Sequence, residues 1–215
     1  MTNFQKRILT SLVILPLSIF FVIKGGYFLY FFLLLVYFAG LHEIFNVFKR
    51  IKTKLFLLLV LTLSIFSIYY LSNDSARSNF LLYFVIAISI SSDIGGYVFG
   101  KILKWKKLSK ISPKKTISGV FGSYFCSFIC LVVYNQWSIS VYGFSVTDLT
   151  LIPEVLLTII FSTVAQAGDL FISYFKRLDK IKDTGKILPG HGGIFDRIDG
   201  LMFVALIASI FYLFY

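Results

Sequence analysis

Acidic side chains are scarce in this chain: ten aspartates and glutamates stand against 21 lysines and arginines in 215 residues, and charge of both signs makes up only 14% of it. The remainder is too apolar for a soluble domain of this length, which could not hide 58% hydrophobic residues at a mean hydropathy of +0.86. Cysteine is nearly absent. Cys126 and Cys130 lie four apart in one apolar run and cannot bridge along the same helix turn, so they say nothing of a redox compartment. No internal repeat, low-complexity tail or break in composition marks a second domain, and residues 1–215 read as one integral-membrane unit. No small-x-small cleavage site follows the first apolar run. Lys6 and Arg7 therefore precede a retained helix rather than a secretory signal, with Lys24, Gly25 and Gly26 as a tight turn into the next run. A GxxxxGK[ST] loop is also missing, so any nucleotide is handled without a Walker fold.

What is present comes in apolar runs: 8–23, 25–41, 55–71, 80–100, 117–137, 151–175 and 200–215. A helix needs roughly 17 to 25 residues to cross the hydrocarbon, so the middle runs are ample and the first and last slightly short. The expected fold is an all-α polytopic membrane protein of about seven spans, with an upper bound of nine. Alternating sides along the chain places Lys6 and Arg7, four cations from Lys49 to Lys54, seven lysines from Lys101 to Lys115, and six cations from Lys176 to Arg197 on one side. Those are nineteen of the 21 basic residues, with Lys24 and Arg77 opposite. Under the positive-inside rule that side is cytoplasmic. The net charge of +11 then reflects juxtamembrane lysines near anionic lipid and calls for no nucleic acid.

Six of the ten acids sit in or beside the cytoplasmic half of the last four spans: Asp93, Asp169, Asp179, Asp183, Asp196 and Asp199. Asp93 and Asp169 fall six or seven residues inside the ends of their runs, roughly 9 to 10 Å below the surface at the helical rise. Asp196 and Asp199 are three apart at the start of the last run and share a helix face. These four carboxylates can converge on one cytoplasm-facing cavity, where their cost in the membrane calls for a partner or a metal. Nearby, "SPKKT" (112–116) and "KRLDKIKDTG" (176–185) supply ammonium, guanidinium and hydroxyl groups. Glycines at 190, 192 and 193 let backbone N–H groups approach a phosphate, with His191 as a donor among them. Cations facing carboxylates that hold a divalent ion are the equipment of phosphate transfer from a nucleotide.

The run "SYFKRLDKIKDTGKILPGHGGIFDRID" (173–199) resembles the signature of the phosphatidate cytidylyltransferase family without a gap. Upstream, "SDIGGYVFGK" (92–101), "SPKKT" and "GDL" (168–170) resemble its other blocks in the same order. The catalytic region is thus expected within 80–215, while residues 1–79 match only in being apolar. The resemblance implies an enzyme of the bacterial inner membrane that joins CTP to phosphatidic acid, using magnesium with a monovalent cation such as potassium assisting. It leaves a homodimer open. Asp169 and Asp196 match the metal-binding aspartates, with Asp93 and Asp199 in support. Lys176 and Arg177 join them as the expected catalytic set. Ser112, Lys114, Lys115, Thr116, Ser173, Lys182, Asp183, His191, Gly192, Gly193 and Arg197 form the expected substrate-binding set.

Two positions depart from the family pattern: Ser118 stands where a glutamate is common, and Ile172 where an acid often precedes the signature serine. Several residues have plainer readings. His42, beside Glu43, reads as interfacial; Asp179 and Asp183 as solvated loop acids; Gly96 and Gly100 as a small-xxx-small packing pair. A CTP-dependent polyprenol-type lipid kinase is the alternative enzyme. An ion-coupled transporter is a third reading, which leaves the dense loop of lysines and aspartates without a task.

Overall fold

The computed structural model describes residues 3–72, 76–109, 111–150, 152–185, 187–190 and 192–214. Seven long helices follow the seven apolar runs in order: α1 (Asn3–Lys24), α2 (Gly26–Val47), α3 (Ile51–Leu71), α4 (Ala76–Leu103), α5 (Ile117–Tyr142), α7 (Glu154–Leu178) and α8 (Phe195–Phe214). A five-residue α6 (Val146–Thr150) sits between α5 and α7. No strand forms among the described residues, only isolated bridges between Lys107 and Thr116 and between Leu188 and Gly192. The 24–26 turn is as expected, since Gly25 takes φ 62° between α1 and α2, a conformation open to glycine.

Among the described residues, five helices are long and apolar enough to cross a membrane: α2, α3, α4, α5 and α7. The expectation of seven is met by that standard at five. To these α1 adds the shorter apolar stretch Leu9–Lys24 among the described residues, and α8 opens with Asp196, Arg197 and Asp199 among its first five residues.

Lipid tails are as apolar as leucine, so these helices are held by close packing and hydrogen bonds rather than by withdrawal from water. The tightest seam joins α4 to α5. A Cβ on Gly96 would lie 2.8 Å from Ser123 Oγ, one on Gly100 would lie 2.9 Å from Thr116 Oγ1, and one on Gly95 would strike the backbone carbonyl of Gly122. The packing role of Gly96 and Gly100 is therefore visible directly. Serines stitch the interior: Ser123 donates to Ser92 O at 2.7 Å, Ser92 and Ser162 share a bond at 3.0 Å, and Ser64 donates to Met202 O at 3.2 Å. Around these bonds, Phe80, Phe84 and Phe161 fill one buried cluster, and Ile44, Leu57, Leu61, Ile172 and Phe195 another.

Four segments meet at one end of the bundle. Thr10 of α1 donates to Pro189 O at 2.8 Å, Arg50 reaches Asp179 at 3.4 Å, and Arg177 donates to Ile111 O at 3.4 Å. The start of α1 and the α2–α3, α4–α5 and α7–α8 connections therefore share that end, as the distribution of basic residues predicts. At the opposite end the Ser145 hydroxyl and N–H both donate to Asp148, at 2.6 and 2.8 Å, and hold its carboxyl below the usual range.

Candidate functional site

The site gathers on the last turns of α7, the first turn of α8 and the loop between them. Lys176 is buried on the last turn of α7, and its Nζ lies 2.8 Å from Asp196 Oδ1. Asp196 Oδ2 accepts from Thr184 N–H at 2.8 Å and Gly193 N–H at 3.2 Å. One carboxylate at the N-terminus of α8, where negative charge is favoured, thus neutralises a lysine and gathers one local and one more distant loop amide.

Two turns before the end of α7, Asp169 pairs with Lys115 at 2.6 Å, and Lys115 also donates to Gln166 O at 3.2 Å. Ser173 donates to Asp169 Oδ1 at 3.4 Å. Asp93 of α4 lies within electrostatic reach of Asp169, Lys115 and Arg197, and Asp199 within reach of Asp169, Lys176 and Asp93. Asp199 is buried, its Oδ1 accepting from Gly200 N–H at 2.9 Å. The four expected carboxylates therefore come from α4, α7 and α8 to one neighbourhood, interleaved with Lys115, Lys176 and Arg197.

Other expected residues have framework tasks. The Thr116 hydroxyl accepts from Gly119 N–H at 3.1 Å and caps α5. The Ser112 carbonyl accepts from Lys115 N–H at 3.0 Å, closing the turn that presents Lys115. Arg177 is exposed and donates through Nη1 to Ile181 O at 3.0 Å. Lys114, Lys182 and Asp183 are exposed, and no bond ties them to the aspartates. Gly192 takes φ 93° where Leu188 and Gly192 exchange backbone bonds of 3.0 and 3.1 Å. His191 lies outside the described residues.

Asp179 corrects the reading of a solvated loop acid. It is buried at 5% exposure, its Oδ2 accepts from Lys49 N–H at 3.1 Å, and its Oδ1 faces Arg50. The residue has left water because its carboxylate fastens the α2–α3 turn to the end of α7. Of the two departures from the family pattern, Ser118 is buried beside Thr116 and Trp105, and Ile172 belongs to the apolar core.

Sequence reasoning missed Glu43. This residue of α2 is 1% exposed and accepts from Ile194 N–H at 2.8 Å, Phe195 N–H at 3.0 Å and the Thr184 hydroxyl at 3.0 Å. A signal was available, since a carboxylate beside an apolar run needs a partner. It was lost because Glu43 stands two residues past the end of the second run at Leu41.

The donor chemistry suits a hard divalent cation, which takes oxygen ligands. Asp169 is partly open, the Ser173 hydroxyl lies 3.4 Å from its Oδ1, and a lysine ammonium already stands 2.6 Å from its carboxylate, the place a cation's charge would take. Among the described residues no three Asp, Glu, His or Cys side chains stand close enough to form a ready metal cage.

Comparisons with known proteins bear on the family of the chain. A model of the cytidylyltransferase family matches residues 48–215. The chain is similar to a phosphatidate cytidylyltransferase of Rickettsia conorii, 34% identical over 212 residues that cover 96% of this chain and 90% of that protein. It is also similar to phosphatidate cytidylyltransferases of Staphylococcus haemolyticus, 39% identical over 143 residues, and Staphylococcus epidermidis, 41% identical over 137 residues. Those matches cover 66% and 62% of this chain and about half of each staphylococcal protein, 52% and 50%.

Proposed function

We propose that this chain, which belongs to the cytidylyltransferase family, transfers the CMP part of CTP to phosphatidate, giving CDP-diacylglycerol and pyrophosphate. The observation that carries the proposal is the pair of lysine–aspartate contacts, Lys115 with Asp169 and Lys176 with Asp196, at one end of an apolar bundle. A phosphatidate oxygen forms a bond to the α phosphorus of CTP, and the bond from that phosphorus to the bridging oxygen breaks as pyrophosphate leaves with the electron pair. The nucleophile is already anionic at neutral pH, so the chain needs no general base. Its tasks are to neutralise two anions and to align them.

Lys115 and Lys176 carry the positive charge paired with Asp169 and Asp196, and Arg197 lies within electrostatic reach of Asp93. Asp169 and Asp196, supported by Asp93 and Asp199, would hold magnesium, and potassium would assist. When bound, the divalent ion supplies neutralisation of the triphosphate and of the leaving pyrophosphate. The exposed cations Lys114, Arg177 and Lys182 receive the nucleotide from solution, while the lipid tails remain among the helices.

The reaction side faces the cytoplasm of a bacterial inner membrane, supported by the nineteen-to-two partition of cations and their gathering at one end of the bundle. Single cysteines near Lys52, Lys106 and Lys182, in a chain freed of Cys126 and Cys130, should resist an impermeant thiol reagent in intact cells. Labelling of any one from outside overturns this orientation. The reaction itself is tested by incubating purified protein with magnesium, CTP and either phosphatidate or a polyprenol. CDP-lipid with pyrophosphate supports the proposal, and lipid phosphate with CDP replaces it by a lipid kinase.

A further inference from the structure

The carboxylate of Glu43 enters the α7–α8 loop from a different helix and fills a space made for it. Its Oε1 accepts from Ile194 N–H at 2.8 Å, and its Oε2 from Phe195 N–H and the Thr184 hydroxyl, each at 3.0 Å. Ile194 and Phe195 are the entry to α8, whose first amides have no partner within the helix. All three groups are donors, so the site needs an acceptor at both oxygens. The surrounding loop leaves room for nothing else. A Cβ on Gly185 would lie 2.8 Å from Glu43 Oε1, and one on Gly193 would overlap the Thr184 hydroxyl and the Glu43 carboxylate.

Thr184 joins this contact to the site. Its hydroxyl is held by Glu43 and its N–H by Asp196, while Gly193 N–H is held by Asp196 as well. Two carboxylates from two helices therefore grip the same loop residue, one of them the residue that pairs with Lys176.

We propose that Glu43 is a positioning residue, whose carboxylate fixes Thr184, Ile194 and Phe195 at the entry to α8 and so the placement of Asp196 and Lys176 for the nucleotide phosphates. This rests on the cytidylyltransfer reading, and it assigns to α2 a part in that reaction. Glu43 touches neither substrate and acts through Thr184 and the first turn of α8. In Glu43→Gln one acceptor becomes an amide donor facing a backbone N–H or a hydroxyl, so at least one bond is lost and the loop is released locally.

The test combines hydrogen exchange with steady-state kinetics on the purified full chain. Glu43→Gln should speed exchange in a peptide spanning 184–199, leave exchange in α4 and α5 unchanged, and raise KM for CTP about fivefold or more, with KM for phosphatidate within about twofold of wild type. A purely structural loss would lower turnover for both substrates alike and leave both KM values in place. Thr184→Val, which keeps the N–H to Asp196 and removes only the hydroxyl, should move the same two readouts in the same direction and covers the case of a Glu43 variant that does not fold. Thr184→Ser should restore both. Unchanged exchange at 184–199, or an unchanged KM for CTP, in a folded variant overturns the inference while the enzyme reading stands. A wild-type protein that makes no CDP-lipid overturns the reading beneath it, and the exchange arm still decides whether Glu43 holds the loop.

Discussion

The first three helices and the last five differ in what they carry. Helices α4, α7 and α8 supply Asp93, Asp169, Asp196 and Asp199, with Lys115 and Lys176 beside them, and the family match covers these helices in full. Helices α1 and α2 lie ahead of that match, which begins at residue 48. Yet the N-terminal region grips the α7–α8 loop at three places: Thr10 on Pro189, Glu43 on Thr184, Ile194 and Phe195, and the Lys49–Arg50 turn on Asp179. The C-terminal helices thus present charge, and the N-terminal helices fix the backbone that holds it. A recognisable signature need not contain all of the contacts that keep it in shape. Carboxylates at the site are interleaved with cations, whereas Glu43 is spent on backbone amides and a hydroxyl, a task any well-placed acceptor could perform.

The largest effects are expected in the C-terminal half. Asp169→Asn and Asp196→Asn keep shape but remove one negative charge each, which weakens a hard-cation site and frees Lys115 or Lys176 from its partner. Each should lower turnover by at least about two orders of magnitude, roughly 2.7 kcal/mol of barrier, with membrane insertion intact. If both act on one ion, the double variant costs much less than the two singles combined. Additive losses in a double-mutant cycle of magnesium-dependent turnover would instead assign each aspartate to its own lysine. Near-normal rates in either single variant would remove that residue from the site.

The helical membrane fold and the placement of the site at one end were legible in the sequence because both are written in long-range patterns: apolar runs, cation-rich loops and a gap-free signature. The pairings were not. Nothing in the spacing of Lys115 and Asp169, or of Lys176 and Asp196, says which lysine meets which aspartate, since that depends on how the α4–α5 turn folds over α7. The burial of Asp179 was hidden for the same reason. Among nearby lysines it reads as a solvated acid, and only the arrival of the α2–α3 turn, far away in sequence, takes it out of water. The expectation that Asp196 and Asp199 share a helix face at the entry to the last run agrees with α8, which begins at Phe195, five residues ahead of the apolar run at Gly200.

A middle-sized effect tests the grip of the N-terminal half. Asp179→Ala leaves Lys49 N–H without its acceptor and Arg50 without its partner. Lys49 and Arg50 are exposed, so water can meet their donors, and the loss is that of the contact itself, about 0.5 to 1.5 kcal/mol; thermal unfolding in detergent should begin a few degrees lower. Asp179→Asn retains an acceptor for Lys49 and should cost less than Ala. Because Asp179 pairs with none of the catalytic lysines, KM for CTP should stay near wild type while both proteins remain folded. An Asp179→Ala protein as stable as wild type would show that the α2–α3 turn does not fasten α7, and the division of labour would then rest on Glu43 alone.

The smallest effect is expected at Ser118. Its position commonly bears a glutamate in the family pattern, and a carboxylate there could have served the nucleotide or the metal. In this chain the side chain is buried at the start of α5, where Oγ lies 3.0 Å from the Thr116 hydroxyl and accepts from Trp105 N–H at 3.4 Å. These bonds join the α4–α5 connection to the helix it leads into, and neither reaches an aspartate of the site. Ser118→Ala therefore removes one weak backbone bond and one hydroxyl contact, worth about 0.5 to 1.5 kcal/mol of stability. Thr116 still caps α5 through Gly119 N–H, so Lys115 stays in place. Turnover with CTP and phosphatidate should remain within about threefold of wild type, less than one kcal/mol of barrier. A loss as large as that of Asp169→Asn, in a folded protein, would mean that the Ser118 hydroxyl does the work of the missing glutamate, and the boundary of the site would have to move to the start of α5.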